Sequence, residues 1–88
     1  MNVAEQIRGR LAKLQPVSLE IFDESHKHVG HAGAREGGHY HLRIVASAFA
    51  GAARVARHRM IYDALGDLMR GGVHALAIDA YAPDEVTK

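Results

Sequence analysis

Between residues 39 and 80 the spacing of apolar residues changes period twice, and this pattern limits the possible folds more than any other feature. Tyr40, Leu42, Ile44 and Ala46 alternate with His39, His41 and Arg43, the two-residue period of a strand with one buried face. After a turn at residues 47–51, Val55, Met60, Ile61, Leu65, Leu68 and Met69 form the broad apolar face of a helical stretch. It reaches about Arg70, where Gly71 and Gly72 stop it. Period two returns over residues 73–80, with Leu76 and Ile78 inward and His74 on the same parity. Eight strand residues at about 3.3 Å each span about 26 Å. About sixteen helical residues at about 1.5 Å each return about 24 Å. The chain therefore re-enters the sheet where the earlier strand began, so the last strand is expected to run parallel to it through a right-handed crossover.

Two elements precede this unit. Val3, Ile7, Leu11 and Leu14 make one helical stripe over residues 2–14, with Asn2 as the cap, Glu5 in the capping-box position and Pro16 ending it. Val17, Leu19 and Ile21 then alternate with Ser18 and Glu20 as a half-buried strand over residues 17–23. Residues 24–38 hold four glycines and no sustained apolar pattern, which marks a long loop of the kind that carries function. Helices on one face of a small three-stranded mixed sheet give a two-layer α+β sandwich. The 88 residues suit one domain. In this layout the 24–38 loop and His74 share one end of the sheet.

Composition narrows the chemistry. Eleven Lys and Arg against ten Asp and Glu leave a formal charge of +1, too balanced to mark a nucleic-acid binder on charge alone. No apolar run approaches a membrane span, and the first residues lack the basic and apolar regions of a signal peptide, so a cytoplasmic protein without membrane contact is expected. There is no cysteine, which excludes disulfides, thiol catalysis and any metal site built from the chain's own thiolates. There are seven histidines, five of them (His26, His28, His31, His39, His41) between positions 26 and 41. Protonating all seven would raise the formal charge from +1 to +8.

His26, His28 and His31 are spaced to gather one metal ion from a loop; the alternative is a solvated, His-rich loop. His74 reads either as a ligand at the loop end of the sheet, converging with His28, or as a satisfied, partly buried histidine. Arg54, Arg57, His58 and Arg59 cluster at the start of the long helix, where they either approach phosphates or form a solvated face. Gly30-His31-Ala32-Gly33 has the G-x-x-G form of the KH nucleic-acid-binding loop, but it lies between strands rather than helices and is read as chance. Ser18, Ser25 and Ser47 have no triad setting, Asp23 and Glu24 are adjacent rather than facing across a cleft, and no phosphate-binding glycine loop is present. A non-enzyme is expected.

Four segments, in order, resemble the BolA family. They are Leu19-Glu20-Ile21-Phe22-Asp23-Glu24-Ser25 with His28 following; His39-Tyr40; Phe49-Ala50-Gly51 leading to Arg57-His58-Arg59-Met60-Ile61-Tyr62; and Val73-His74-Ala75-Leu76-Ala77-Ile78. The likeness runs over roughly residues 5–85. It implies a KH-like (type II) αββααβ fold and partnership with a monothiol glutaredoxin, the two proteins sharing a [2Fe–2S] cluster with glutathione. His74 would then be the main ligand and His28 the second, with His31 as the alternative loop ligand. Such a chain is expected to carry no cofactor when isolated and to be a monomer or weak homodimer. Other members of the family are described as DNA-binding transcriptional regulators, which would engage Arg54, Arg57, His58 and Arg59 with double-stranded DNA. Cluster sharing is chemically coherent here, because a chain without thiolates can lend imidazoles while a partner and glutathione supply sulfur. Imidazole ligates only when neutral, so the shared cluster is expected to be acid-sensitive.

Overall fold

A computed structural model describes residues 2–25 and 38–86. Helix α1 (Val3–Leu11) starts as expected: Asn2 Oδ1 accepts the Glu5 N–H at 2.8 Å, and Ile7 and Leu11 are buried. A 3₁₀ turn, Ala12–Leu14, and a left-handed Gln15 (φ 51°) bring the chain to Pro16. Strand β1 (Ser18–Asp23) follows, with Leu19 and Ile21 against the core. Val17, expected inward, is 70% exposed. It precedes the first paired row, Ser18 opposite Val45, so its parity brings it no cover.

Strand β2 (Gly38–Val45) is central, antiparallel to β1 and parallel to β3 (Val73–Tyr81). The mixed sheet and the parallel return thus agree with the strand and helix lengths read from the sequence. Tyr40, Leu42, Ile44 and Ala46 are buried as their alternation requires. The turn after β2 contributes more than a connection, because Phe49, in a 3₁₀ turn over Ser47–Phe49, is fully buried.

The helical stretch after that turn is two helices, α2 (Arg54–Leu65) and α3 (Leu68–Gly71). The break falls at Gly66, whose φ of 55° and ψ of −126° end the helix, a conformation that glycine alone adopts without strain. Arg10 secures the junction: its Nη1 donates to the Leu65 carbonyl at 2.7 Å and pairs with Asp67 at 2.9 Å. That guanidinium, by hydrogen bond first and charge second, holds the Asp67 carboxyl below its ordinary range. Val55, expected on the apolar face, is 68% exposed. At about 100° per residue it lies well off the stripe of Ile61, Ala64 and Leu65 that packs down.

The core cluster joins Ile7 and Leu11 of α1, Ile61 and Leu65 of α2 and Leu68 of α3 to Leu42 and Ile44 of β2. The helices therefore cover one face of the sheet. The other face carries Phe22, His41, Arg43 and Asp79 and is open among the described residues.

Gly9 and Gly66 are expected to respond oppositely to alanine. Gly9 is a helical residue with open space around its Cα, so Gly9→Ala should stabilise by about 1 kcal/mol. Gly66→Ala should destabilise by about 1–3 kcal/mol. Urea unfolding followed by far-UV circular dichroism measures both.

Candidate functional site

The parallel ladder slips at its first rows. Gly38 pairs with Val73, but His39 pairs with Ala75, so β3 carries one extra residue there, His74. A bulge of this kind re-aims side chains. Val73 is buried, His74 and Ala75 are both exposed, and the inward pattern resumes at Leu76. The inward parity read for His74 is therefore overturned: the bulge resets the alternation and leaves the imidazole in the open. It lies beside His39, the ring centroids 5.1 Å apart and the planes tilted by 47°.

The backbone around this pair is tightly held. Glu24 N–H donates to the His39 carbonyl at 2.8 Å, His39 N–H to Ser25 Oγ at 2.9 Å, and Ser25 N–H to Asp23 Oδ1 at 2.9 Å. Gly38 N–H donates to the Gly72 carbonyl at 3.2 Å. The Tyr40 ring lies over Gly38, where a β-carbon would meet Tyr40 Cζ at 2.7 Å, so glycine is required by close approach. Burial, and then the Asp23 charge, push the Tyr40 phenol above its ordinary range against an opposing hydrogen bond with Ser25.

An exposed imidazole, His74, beside a half-buried one, His39, is a donor pair for a transition metal. Metal–nitrogen bonds of about 2 Å and a tetrahedral angle put two ligating rings about 5 Å apart between centroids, which the His39–His74 spacing matches. Among the described residues no group of three or more metal-ligating side chains exists. His26, His28 and His31, and the Gly30–Gly33 tetrapeptide, lie outside the described residues. The segment they belong to leaves the sheet at Ser25 and rejoins it at Gly38, both at this rim. Sequence reasoning missed His39 as a partner for His74. The usable signal was its place at the start of the strand that β3 joins in parallel.

His41 is committed elsewhere. On the open face its Nε2 meets Asp79 Oδ2 at 2.7 Å, and its ring stands 5.8 Å from that of Phe22. Next to this pair, Arg43 lies over the Tyr81 ring at 5.3 Å and 3.7 Å from Glu20.

The basic cluster on α2 is not a single surface. Arg57 is only 12% exposed along its side chain. It donates to the carbonyls of Ala52 (2.8 Å) and Ala80 (3.0 Å) and forks onto Glu85 at 2.7 and 2.8 Å. That hydrogen bond raises the guanidinium pKa further and holds the Glu85 carboxyl at about 2, helped by the Ala82 N–H. Arg57, read from the sequence as either a phosphate contact or part of a solvated face, ties the start of α2 to the end of β3. Arg54 and Arg59 are exposed and His58 is half-buried.

Residues 11–85 match the family model for BolA-like proteins. The chain is 48% identical to the SufE-like protein 1, chloroplastic/mitochondrial, of Arabidopsis thaliana. That match covers 92% of the chain but 24% of the relative, so the chain spans about a quarter of that protein's length. It is 40% identical to the DNA-binding transcriptional regulator BolA of Escherichia coli strain K12, covering 97% of the chain and 80% of that protein. Among solved structures, BolA1 from Arabidopsis thaliana superposes with a TM-score of 0.86 at 39% identity, covering 99% of this chain and 98% of that one.

The Arg57–Glu85 fork makes stability depend on acid. A carboxyl held at about 2 against an ordinary 4.5 stabilises the fold above the ordinary value, and the contribution is lost as pH falls toward the lower one. Melting temperatures measured across that interval should fall less steeply for Glu85→Gln than for the parent chain.

Proposed function

The chain belongs to the BolA family, and from that premise we propose that it is a non-enzymatic cytoplasmic adaptor that binds a monothiol glutaredoxin and shares a [2Fe–2S] cluster with it. The observation that carries this reading is the exposed His74 imidazole set beside the half-buried His39 ring at the rim where β2 and β3 begin. A chain with no cysteine has no thiolate to offer, and imidazole is the ligand that replaces thiolate on such iron. His74, lifted out of the inward row by the bulge, is the first ligand. The second imidazole comes from His39 beside it or from His28 (or His31) in the loop that leaves from the same rim. The glutaredoxin thiolate and glutathione supply the sulfur. When bound, the cluster supplies one-electron redox chemistry or serves as cargo. The chain's own work is to present neutral imidazoles on a rigid ladder and to leave room for the partner.

Mixing the apo protein with cluster-loaded monothiol glutaredoxin is expected to give visible absorption and circular dichroism unlike those of the glutaredoxin alone, and a purified complex containing iron and sulfide. His74→Ala should lose the new spectrum while folding normally, because an exposed side chain on a bulge costs within about 0.5 kcal/mol when truncated. Identical spectra for the parent and His74→Ala mixtures would remove His74 from the site. His39→Ala and His28→Ala then show which residue is the second ligand.

A second reading, DNA binding, is favoured by the exposed Arg54 and Arg59 on one helix and by the name of the E. coli relative. Each lost phosphate contact should lower the slope of log affinity against log salt by about 0.9. An Arg54→Ala, Arg59→Ala double variant in a gel-shift salt series measures it. Arg57 is left unchanged, since altering it would loosen the fold.

A further inference from the structure

A second feature lies toward the far end of β3, about 20 Å along the strand from His74 at about 3.3 Å per residue. β3 is an edge strand, paired with β2 alone among the described residues. The Tyr81 carbonyl accepts the Ala46 N–H at 3.0 Å, so Tyr81 faces β2. Strand alternation then turns the backbone N–H and C=O of Leu76, Ile78 and Ala80 to the open side. The Ala80 carbonyl is indeed reached from that side, by Arg57 Nη1. The usual protections of an edge are a lysine, a proline or a covering element. β3 contains neither lysine nor proline.

Beside this edge runs a cleft of about 470 Å³, with Arg54, Arg57 and His58 of α2 on one wall and Ile78 and Ala80 on the other. A helix flanking an open strand edge is the layout in which an extended peptide adds a strand, its main chain bonding the edge and its side chains reading the walls. The charges of this cleft are unevenly matched. Arg57 is paired with Glu85, and the Asp79 carboxylate turns away from the helices to the other face of the sheet, where it hydrogen-bonds His41. Arg54 has no ion-pair partner among the described residues, so the unmatched charge is positive.

We infer that the β3–α2 cleft is a docking site for an extended peptide segment bearing an acidic side chain, which pairs with the β3 edge and sets its carboxylate against Arg54. Phosphate-rich ligands match it less well. They bring acceptors only, whereas the edge alternates donors with acceptors and so matches a peptide backbone.

The test selects binders to the intact protein from a random linear peptide library. The selected consensus is then synthesised, and its binding is followed by fluorescence anisotropy and by amide chemical shifts. The expected result is a consensus rich in Asp or Glu that shifts the amides of Leu76, Ile78 and Ala80. Its affinity should fall about tenfold or more in Arg54→Glu, where like charges meet, and fall again when alternate peptide nitrogens of the ligand are methylated. Ala80→Pro, checked for folding by far-UV circular dichroism, blocks the same edge independently and should also abolish binding. No enrichment, shifts confined to other amides, or indifference to both Arg54→Glu and backbone methylation overturns the inference. So does sedimentation showing that a second copy of this chain already occupies the edge.

Discussion

The parallel ladder between β2 and β3 decides where each functional group of this chain stands. Parallel neighbours cannot be joined by a tight turn, so the chain crosses over through α2 and α3 and delivers the start of β3 to the start of β2. That return brings His74 next to His39 and both next to the ends of the 26–37 segment. The ladder's one irregularity, the extra residue at the Gly38/His39 step, then puts the imidazole on the surface and keeps Val73 in the core. Counted back from an inward Leu76, a regular ladder would have turned His74 inward and Val73 outward.

Two arginines brace this fold by the same chemistry, Arg10 within the helical layer and Arg57 between that layer and the sheet. Arg10 binds the last carbonyl of α2 and a carboxylate across the Gly66 break. Arg57 binds two carbonyls and a carboxylate between α2 and the end of β3. Each supplies donors to backbone groups that the local structure leaves unsatisfied, and each has its charge matched nearby. A basic residue so engaged is part of the scaffold, which divides the α2 cluster into a structural member, Arg57, and surface members, Arg54 and Arg59. It also divides the two ends of β3 by chemistry: imidazoles at the bulge and, at the other end, a cation without an ion-pair partner among the described residues, beside the strand edge.

Most of the fold was legible before any coordinate. The Asn2 cap, the alternation from Tyr40 to Ala46, the stop at Gly71–Gly72 and the parallel return all follow from local sterics and from lengths, which act over a few residues. The departures have separate causes. Val17 and His74 sit at an element's end or at a register slip, where burial depends on what another segment covers, whereas Val55 lies off its helix's buried stripe and Gly66 breaks the expected single helix in two. Phe49 is the converse, a residue in a turn that is nonetheless buried because the helices close over it.

By itself the sequence determined the fold class, the absence of thiol ligands and the crowding of five histidines between positions 26 and 41, because composition and periodicity are local properties of the chain. Only the tertiary structure decided that His39 stands beside His74, that Arg57 belongs to the scaffold and that, among the described residues, the β3 edge beside Arg54 has no strand partner but β2. Each of these depends on a contact between residues distant in sequence, and on which backbone groups the sheet has already used.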